Sequence, residues 1–114
     1  MKDFMLIYKG GDPNWHKASA EQKQALMARW GTWLSALGEK GKLVAGGSPL
    51  EFTGRELTKD GVVTDIASSE LKELVTGYSI IKAESYEEAV ALAKECPIFA
   101  NGDAKLEIRQ VLPM

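Results

Sequence analysis

Gly77-Tyr78-Ser79-Ile80-Ile81, Ser85-Tyr86-Glu87-Glu88-Ala89-Val90, Cys96-Pro97-Ile98-Phe99, Asn101-Gly102 and Leu106-Glu107-Ile108-Arg109 follow one another in the last third of the chain. The first run is short and apolar with a glycine before it, and reads as a strand. Ser85 followed three residues on by Glu88 forms a capping box, in which the serine and the glutamate each satisfy a backbone donor at a helix start. Tyr86, Ala89, Val90 and Ala93 then fall on one face of that helix. Pro97 ends it, since proline has no N–H to continue the ladder. Leu106, Ile108 and Val111, with Glu107 and Arg109 between them, give a last alternating strand. Together these make one β-α-β half of a small sandwich.

The first third repeats the pattern. Phe4-Met5-Leu6-Ile7-Tyr8 is a continuous apolar run, as expected of a central strand, and Gly10-Gly11-Asp12-Pro13-Asn14 breaks it. Ser19 with Gln22 reads as a capping box, and Glu21 suits the positive end of the helix dipole. Leu26, Trp30, Trp33, Leu34 and Leu37 lie at offsets 0, 4, 7, 8 and 11, one face of a long helix that Gly38 or Gly41 stops. Leu43-Val44-Ala45 is a short strand closed by Gly46-Gly47-Ser48-Pro49. Arg55-Glu56-Leu57-Thr58, a turn at Lys59-Asp60-Gly61 and Val62-Val63-Thr64 form a polar hairpin. In Asp65 to Thr76, Leu71, Leu74 and Val75 suggest a helical turn within a surface excursion.

The resulting order is β-α-β, an inserted hairpin and loop, then β-α-β. This is an α+β fold, a ferredoxin-like β-α-β-β-α-β sandwich with both helices on one face of a four-stranded antiparallel sheet. The 114 residues make a single domain, 1–114, too short for two separately stable cores. Strands that are apolar on both faces would leave one sheet face greasy and bare, a feature that normally marks an interface. A homodimer packed through that sheet face is expected, with a pocket between sheet and helices or at the dimer seam.

Composition narrows the classes of function. Apolar residues are 45% and charged residues 26%, ordinary for a globular protein, and the net charge of -2 gives no attraction to nucleic acid or an anionic membrane. Cys96 stands alone, so neither an internal disulfide nor a cysteine-based zinc site can form, and a buried structural thiol is expected. No apolar stretch approaches the roughly 20 residues that span a bilayer, and Met1-Lys2-Asp3-Phe4 lacks a signal peptide's long apolar core, so none is expected. A cytoplasmic location is expected.

The same residues resemble YCII-related proteins of the DGPF type, a family of small bacterial domains, over essentially the whole chain. The family signature is Thr-Asp-Gly-Pro-Phe, then Ala-Glu-x-Lys-Glu, then Gly-Gly-Tyr. Thr64, Asp65, Glu70, Lys72, Glu73, Gly77 and Tyr78 match it in register, whereas Ile66, Ala67 and Ser68 stand for Gly-Pro-Phe and Thr76 for a glycine. The exchange removes a tight turn and an aromatic wall. The resemblance implies a dimeric α/β barrel built from two ferredoxin-like subunits. Distant relatives in the wider superfamily include ring-modifying enzymes that use a His and Asp pair.

His16 is the one histidine, and paired with Asp65 it could move a proton near neutral pH; otherwise it is a loop or capping residue. One histidine cannot assemble a His-rich metal site, so no metal is expected, and nothing points to a cofactor. Trp15 lies outside the helical periodicity and suits a pocket wall, while Trp30 and Trp33 suit the core. Ser48, Lys72, Tyr78 and Arg109 are further candidates for contact with a small ligand: Ser48 in a glycine turn that lets backbone come close, Lys72 and Arg109 as counter-charges. Set against this, Gly46-Gly47-Ser48 is also a plain strand-ending turn, Asp65 a cap for the turn that follows, and Arg109 part of a solvated strand face. Two readings of function follow: a dimeric module that binds a small molecule or a partner, or an enzyme acting on a small aromatic or carbonyl compound.

Overall fold

The computed structural model describes residues 1–65 and 70–114, with 62–65 described through their backbone. Strand β1 (Lys2–Lys9), helix α1 (Ala20–Glu39) and strand β2 (Leu43–Ala45) come first. A hairpin of β3 (Arg55–Thr58) and β4 (Gly61–Asp65) follows, then β5 (Val75–Ala83), α2 (Tyr86–Ala93) and β6 (Lys105–Gln110). Four strands form one antiparallel sheet in the order β2-β5-β1-β6. Each β-α-β half places its two strands on either side of a strand from the other half. This is the ferredoxin-like arrangement. The hairpin forms its own two-stranded sheet, and every residue of β3 is exposed.

Local chemistry sets the helix ends. Ser19 Oγ accepts from the Gln22 N–H and the Gln22 side chain accepts from the Ser19 N–H, the full reciprocal box. At the other end Gly41, at φ 69°, donates to the Gly38 carbonyl, and Lys42 N–H reaches back to Leu37 O at 2.9 Å. That pair of bonds is a Schellman closure, which makes Gly41 rather than Gly38 the stop. Ser85 caps α2 through the Glu88 N–H, but the Glu88 carboxylate pairs with Lys42 Nζ at 2.8 Å.

Alternation sorts β1 and β5 into two faces. Phe4, Leu6 and Tyr8 on β1, with Ser79, Ile81 and Ala83 on β5, are buried beneath the helices. Trp33 and Leu37 of α1 and Ala89 and Ala93 of α2 close the core over them. Tyr86 and Val90 depart from the expected inward face, being 47% and 43% exposed. With only eight residues, α2 covers the sheet through its two alanines. Tyr86 instead folds over its edge, meeting Phe4 edge-on at 4.9 Å and accepting the Gln110 N–H at its hydroxyl. The helix also stops before Pro97, which opens a short 3₁₀ turn, Pro97–Ala100. The opposite sheet face carries Met5, Ile7, Tyr78 and Ile80, all half-buried, beside the Lys9–Glu107 ion pair at 3.1 Å. Among the described residues no helix is long and apolar enough to cross a membrane.

Candidate functional site

At the Tyr8–Gly77 end of the sheet the helix layer covers the strands only in part, Trp30 reaching Tyr8. A cavity of about 380 Å³ lies there, walled by Leu26, Trp30 and Leu34 of α1, the ends of β1 and β5, and the two loops that follow β1 and β2. Small residues on the strand account for the space: Gly77 and Ser79 stand where Ile81 and Ala83 fill the core further along β5.

The loop after β2 forms one wall. Gly46 to Leu50 runs beside β5, with Pro49 bridged to Gly77 and Leu50 N–H donating to Thr76 O at 2.9 Å. Gly47 sits at φ 76° with no room for a side chain, because a Cβ there would overlap the Tyr78 carbonyl. Ser79 locks the loop from below: the Tyr8 hydroxyl donates to Ser79 Oγ at 2.7 Å, and Ser79 donates to Gly46 O at 2.7 Å.

The loop after β1 forms the facing wall. Gly10 N–H donates to Leu74 O, and Thr76 Oγ1 donates to Gly10 O at 2.6 Å, so the start of this loop is fastened to β5. Asp12 then turns the chain by accepting from Asn14 N–H, and a 3₁₀ turn, Trp15–Lys17, presents Trp15 and His16. Lys23 Nζ lies 5.6 Å from the centre of the Trp15 ring. The two loops meet at the rim. His16 Nε2 lies 2.9 Å from Glu51 Oε2, and the His16 and Phe52 rings meet edge-on at 5.3 Å. A carboxylate only accepts, so the imidazole donates through Nε2, and a neutral ring then presents Nδ1 as an acceptor.

The floor is neutral. Burial pushes the Tyr8 phenol upward, against the opposing hydrogen bond with Ser79. Cys96 belongs to the core rather than to the cavity lining, and burial pushes its thiol up to about 11, against hydrogen bonds from Ile98 and Tyr8. Neither group ionises near neutrality. Aromatic contacts stiffen the same region, with Tyr8 and Trp30 edge-on at 4.9 Å and Trp30 and Trp33 at 5.9 Å.

Of the residues singled out from the sequence, Trp15, His16, Ser48 and Tyr78 line this cavity. Lys72 lies outside it, beside Glu70 at 3.5 Å, and Arg109 lies on β6 beside Glu107 at 3.4 Å. The backbone of Asp65 pairs with Arg55 at the end of the hairpin; its side chain, and Ile66-Ala67-Ser68, lie outside the described residues. Trp30 is a cavity wall as well as a core neighbour, whereas Trp33 belongs to the core. Glu51, Phe52, Asp12 and Asn101 join the site without having been anticipated. The one local signal for the first two was a charged residue between two apolar ones just after the Gly46-Gly47-Ser48-Pro49 turn. Among the described residues no group of three His, Cys, Asp or Glu is placed to hold a metal ion.

Comparison with curated proteins returns no match. The YCII-related domain model, in contrast, matches residues 4–114, from the first core side chain of β1 to the last residue. With the two interleaved β-α-β halves, the loop wall and the hollow beneath it described, that match over almost the whole length settles the kinship: the chain belongs to the YCII-related domain family.

Proposed function

We propose that the protein is a small-molecule-binding module that works as a two-fold homodimer, with the cavity under the β1 and β2 loops as its ligand site. The observation that carries this reading is the cavity itself. Its volume of about 380 Å³ falls within the usual range of ligand sites, its walls are mainly apolar and aromatic, and its polar groups include the His16–Glu51 pair at the rim and the Tyr8 and Ser79 hydroxyls at the floor. A domain that needed only stability would fill such a space, because voids forfeit packing energy. The dimer rests on the bare face of Met5, Ile7, Tyr78 and Ile80, whose apolar centre and charged margin suit a second copy of the same surface. A single free thiol, Cys96, suits the reducing conditions of the cytoplasm.

A thermal-shift screen of small molecules tests the ligand reading, since anything bound only by the native state raises the melting temperature. A diverse library that yields no hit would count against it. Sedimentation of the protein and of Ile7→Lys tests the dimer: a two-fold species that the lysine converts to monomer is expected, and a wild-type monomer at micromolar concentration removes the reading.

A second reading is favoured by one contact, the 2.9 Å approach of His16 to Glu51. An imidazole oriented by a carboxylate at the edge of a ligand cavity is equipped for general acid/base work on a small aromatic or carbonyl compound. Glu51 would then take the part that sequence reasoning gave to Asp65. His16→Ala is the test: turnover of any substrate found should fall by about 10²-fold or more, and unchanged turnover would exclude the role.

A further inference from the structure

Resting on the ligand reading above, we infer that the cavity selects a planar aromatic ligand that is uncharged or cationic, and discriminates against anions. The selection for a flat ring comes from the walls. Trp15, Trp30, Phe52 and Tyr8 all line the space, and the contacts of Tyr8 with Trp30 and of His16 with Phe52 fix those rings against their neighbours. Rings held this way offer faces and edges to another ring at small entropic cost.

The selection by charge comes from what the lining holds. Among the lining residues Asp12 and Glu51 contribute two carboxylates and His16 is the one group that could carry positive charge; the Lys23 ammonium, 5.6 Å from the centre of the Trp15 ring, is not itself part of the lining. No lysine or arginine lines the cavity among the described residues. At the floor the hydroxyls of Tyr8 and Ser79 are engaged in a chain that ends on the Gly46 carbonyl, so they offer a buried anion no free donor. An anionic ligand would therefore exchange its hydration for neutral donors alone, such as the Asn101 amide, while facing two carboxylates. An ammonium group beside Glu51 and Asp12 gains an ion pair, and the ring behind it gains the aromatic walls. The side-chain amide of Asn101 lines the same space and makes no hydrogen bond with the described residues, leaving it open to a neutral polar substituent.

Three probes of one shape decide the matter: 2-naphthylmethylamine, 2-naphthylmethanol and 2-naphthoate, titrated calorimetrically into the full chain at neutral pH. The amine should bind at least about tenfold more tightly than the carboxylate, with the alcohol between them. Glu51→Gln, a change on an exposed side chain, should shrink the amine's advantage by about fivefold or more. Leu26→Trp, which fills the cavity from α1, should abolish binding of all three while thermal unfolding confirms a folded protein. A carboxylate that binds as well as the amine overturns the charge selection, as does a ratio that Glu51→Gln leaves unchanged. If none of the three binds while aliphatic hits from the thermal-shift screen are lost in Leu26→Trp, the aromatic class is wrong and the ligand site stands. If no compound of any class responds to Leu26→Trp, the ligand site falls with it.

Discussion

The two ends of the same pair of strands are built to opposite purposes. Around Phe4, Ile81 and Ala83 the layer between sheet and helices is solid: Phe4, Ile81 and Ala83 are wholly buried, and Ala89 and Ala93 bring α2 down onto them. Around Tyr8, Gly77 and Ser79, a few residues along the same register, the layer is hollow and roofed by loops. Both ends have apolar walls, so composition does not separate them. Side-chain size on β5 and the identity of the covering element do. A helix with alanines on its inner face can approach a strand closely, whereas a roof made of loops must be held up by specific hydrogen bonds. The chain from Tyr8 through Ser79 to Gly46 and the tie from Thr76 to Gly10 supply them.

If that contrast is right, truncations at the two ends should differ most. Phe4→Ala removes a ring from a filled core and should cost about 3–5 kcal/mol in urea unfolding. Leu26→Ala, on the cavity wall, should cost under about 1 kcal/mol, because its neighbours already border open space. Equal losses would mean that the hollow is not a hollow in solution. Gly47→Ala comes next. It adds a methyl group into the Tyr78 carbonyl at a positive φ, and about 3 kcal/mol of destabilisation is expected, with loss of ligand-induced thermal shift.

A smaller effect sharpens the account of the roof. Ser79→Ala strands both the Tyr8 hydroxyl and the Gly46 carbonyl and should cost about 2 kcal/mol, while Tyr8→Phe removes one hydrogen bond and should cost about 1 kcal/mol. The reverse order would show that Cys96 or solvent takes over as partner. The smallest effect tests, through pH, the core thiol that contacts Tyr8. The Cys96 thiol rises from 9.0 to about 11 on folding, so the native chain holds this proton more tightly than the unfolded one. Its contribution to stability is complete below about pH 9 and is lost as pH climbs through 9 toward about 11. Cys96→Ala should flatten that alkaline limb in part, the remainder belonging to Tyr8, and in the native protein the thiol should react with a disulfide reagent only slowly at pH 8.

Acid stability should depend on other groups. Lys105 beside Glu73, Lys42 beside Glu88 and Lys9 beside Glu107 each hold a carboxyl below its usual value, first through a hydrogen bond. The help these pairs give is present above the ordinary carboxylate range and fades as pH falls through it, the opposite direction from Cys96. They are surface pairs, and salt should weaken them.

Much of the frame was legible along the chain because its signals are local. Ser19 with Gln22, Ser85 before its helix and the Lys59-Asp60-Gly61 turn each act within a few residues, and each stands where the spacing put it. Alternation in Phe4 to Tyr8 and Gly77 to Ile81 likewise fixed which side chains share a face. Helical periodicity could group Leu26, Trp30, Trp33, Leu34 and Leu37, but it could not divide them. Trp33 and Leu37 seal the core while Leu26, Trp30 and Leu34 wall the cavity, a division set by what lies across from each. Glu51 reaches His16 from 35 residues away, on a loop whose path depends on Gly47 lying flat against β5. The sequence by itself therefore determined the elements, their ends and their faces, since those follow from backbone hydrogen bonding and side-chain period. Tertiary structure alone decided where the layer stays open and which carboxylate meets the histidine, because both depend on distances between segments that no local pattern encodes.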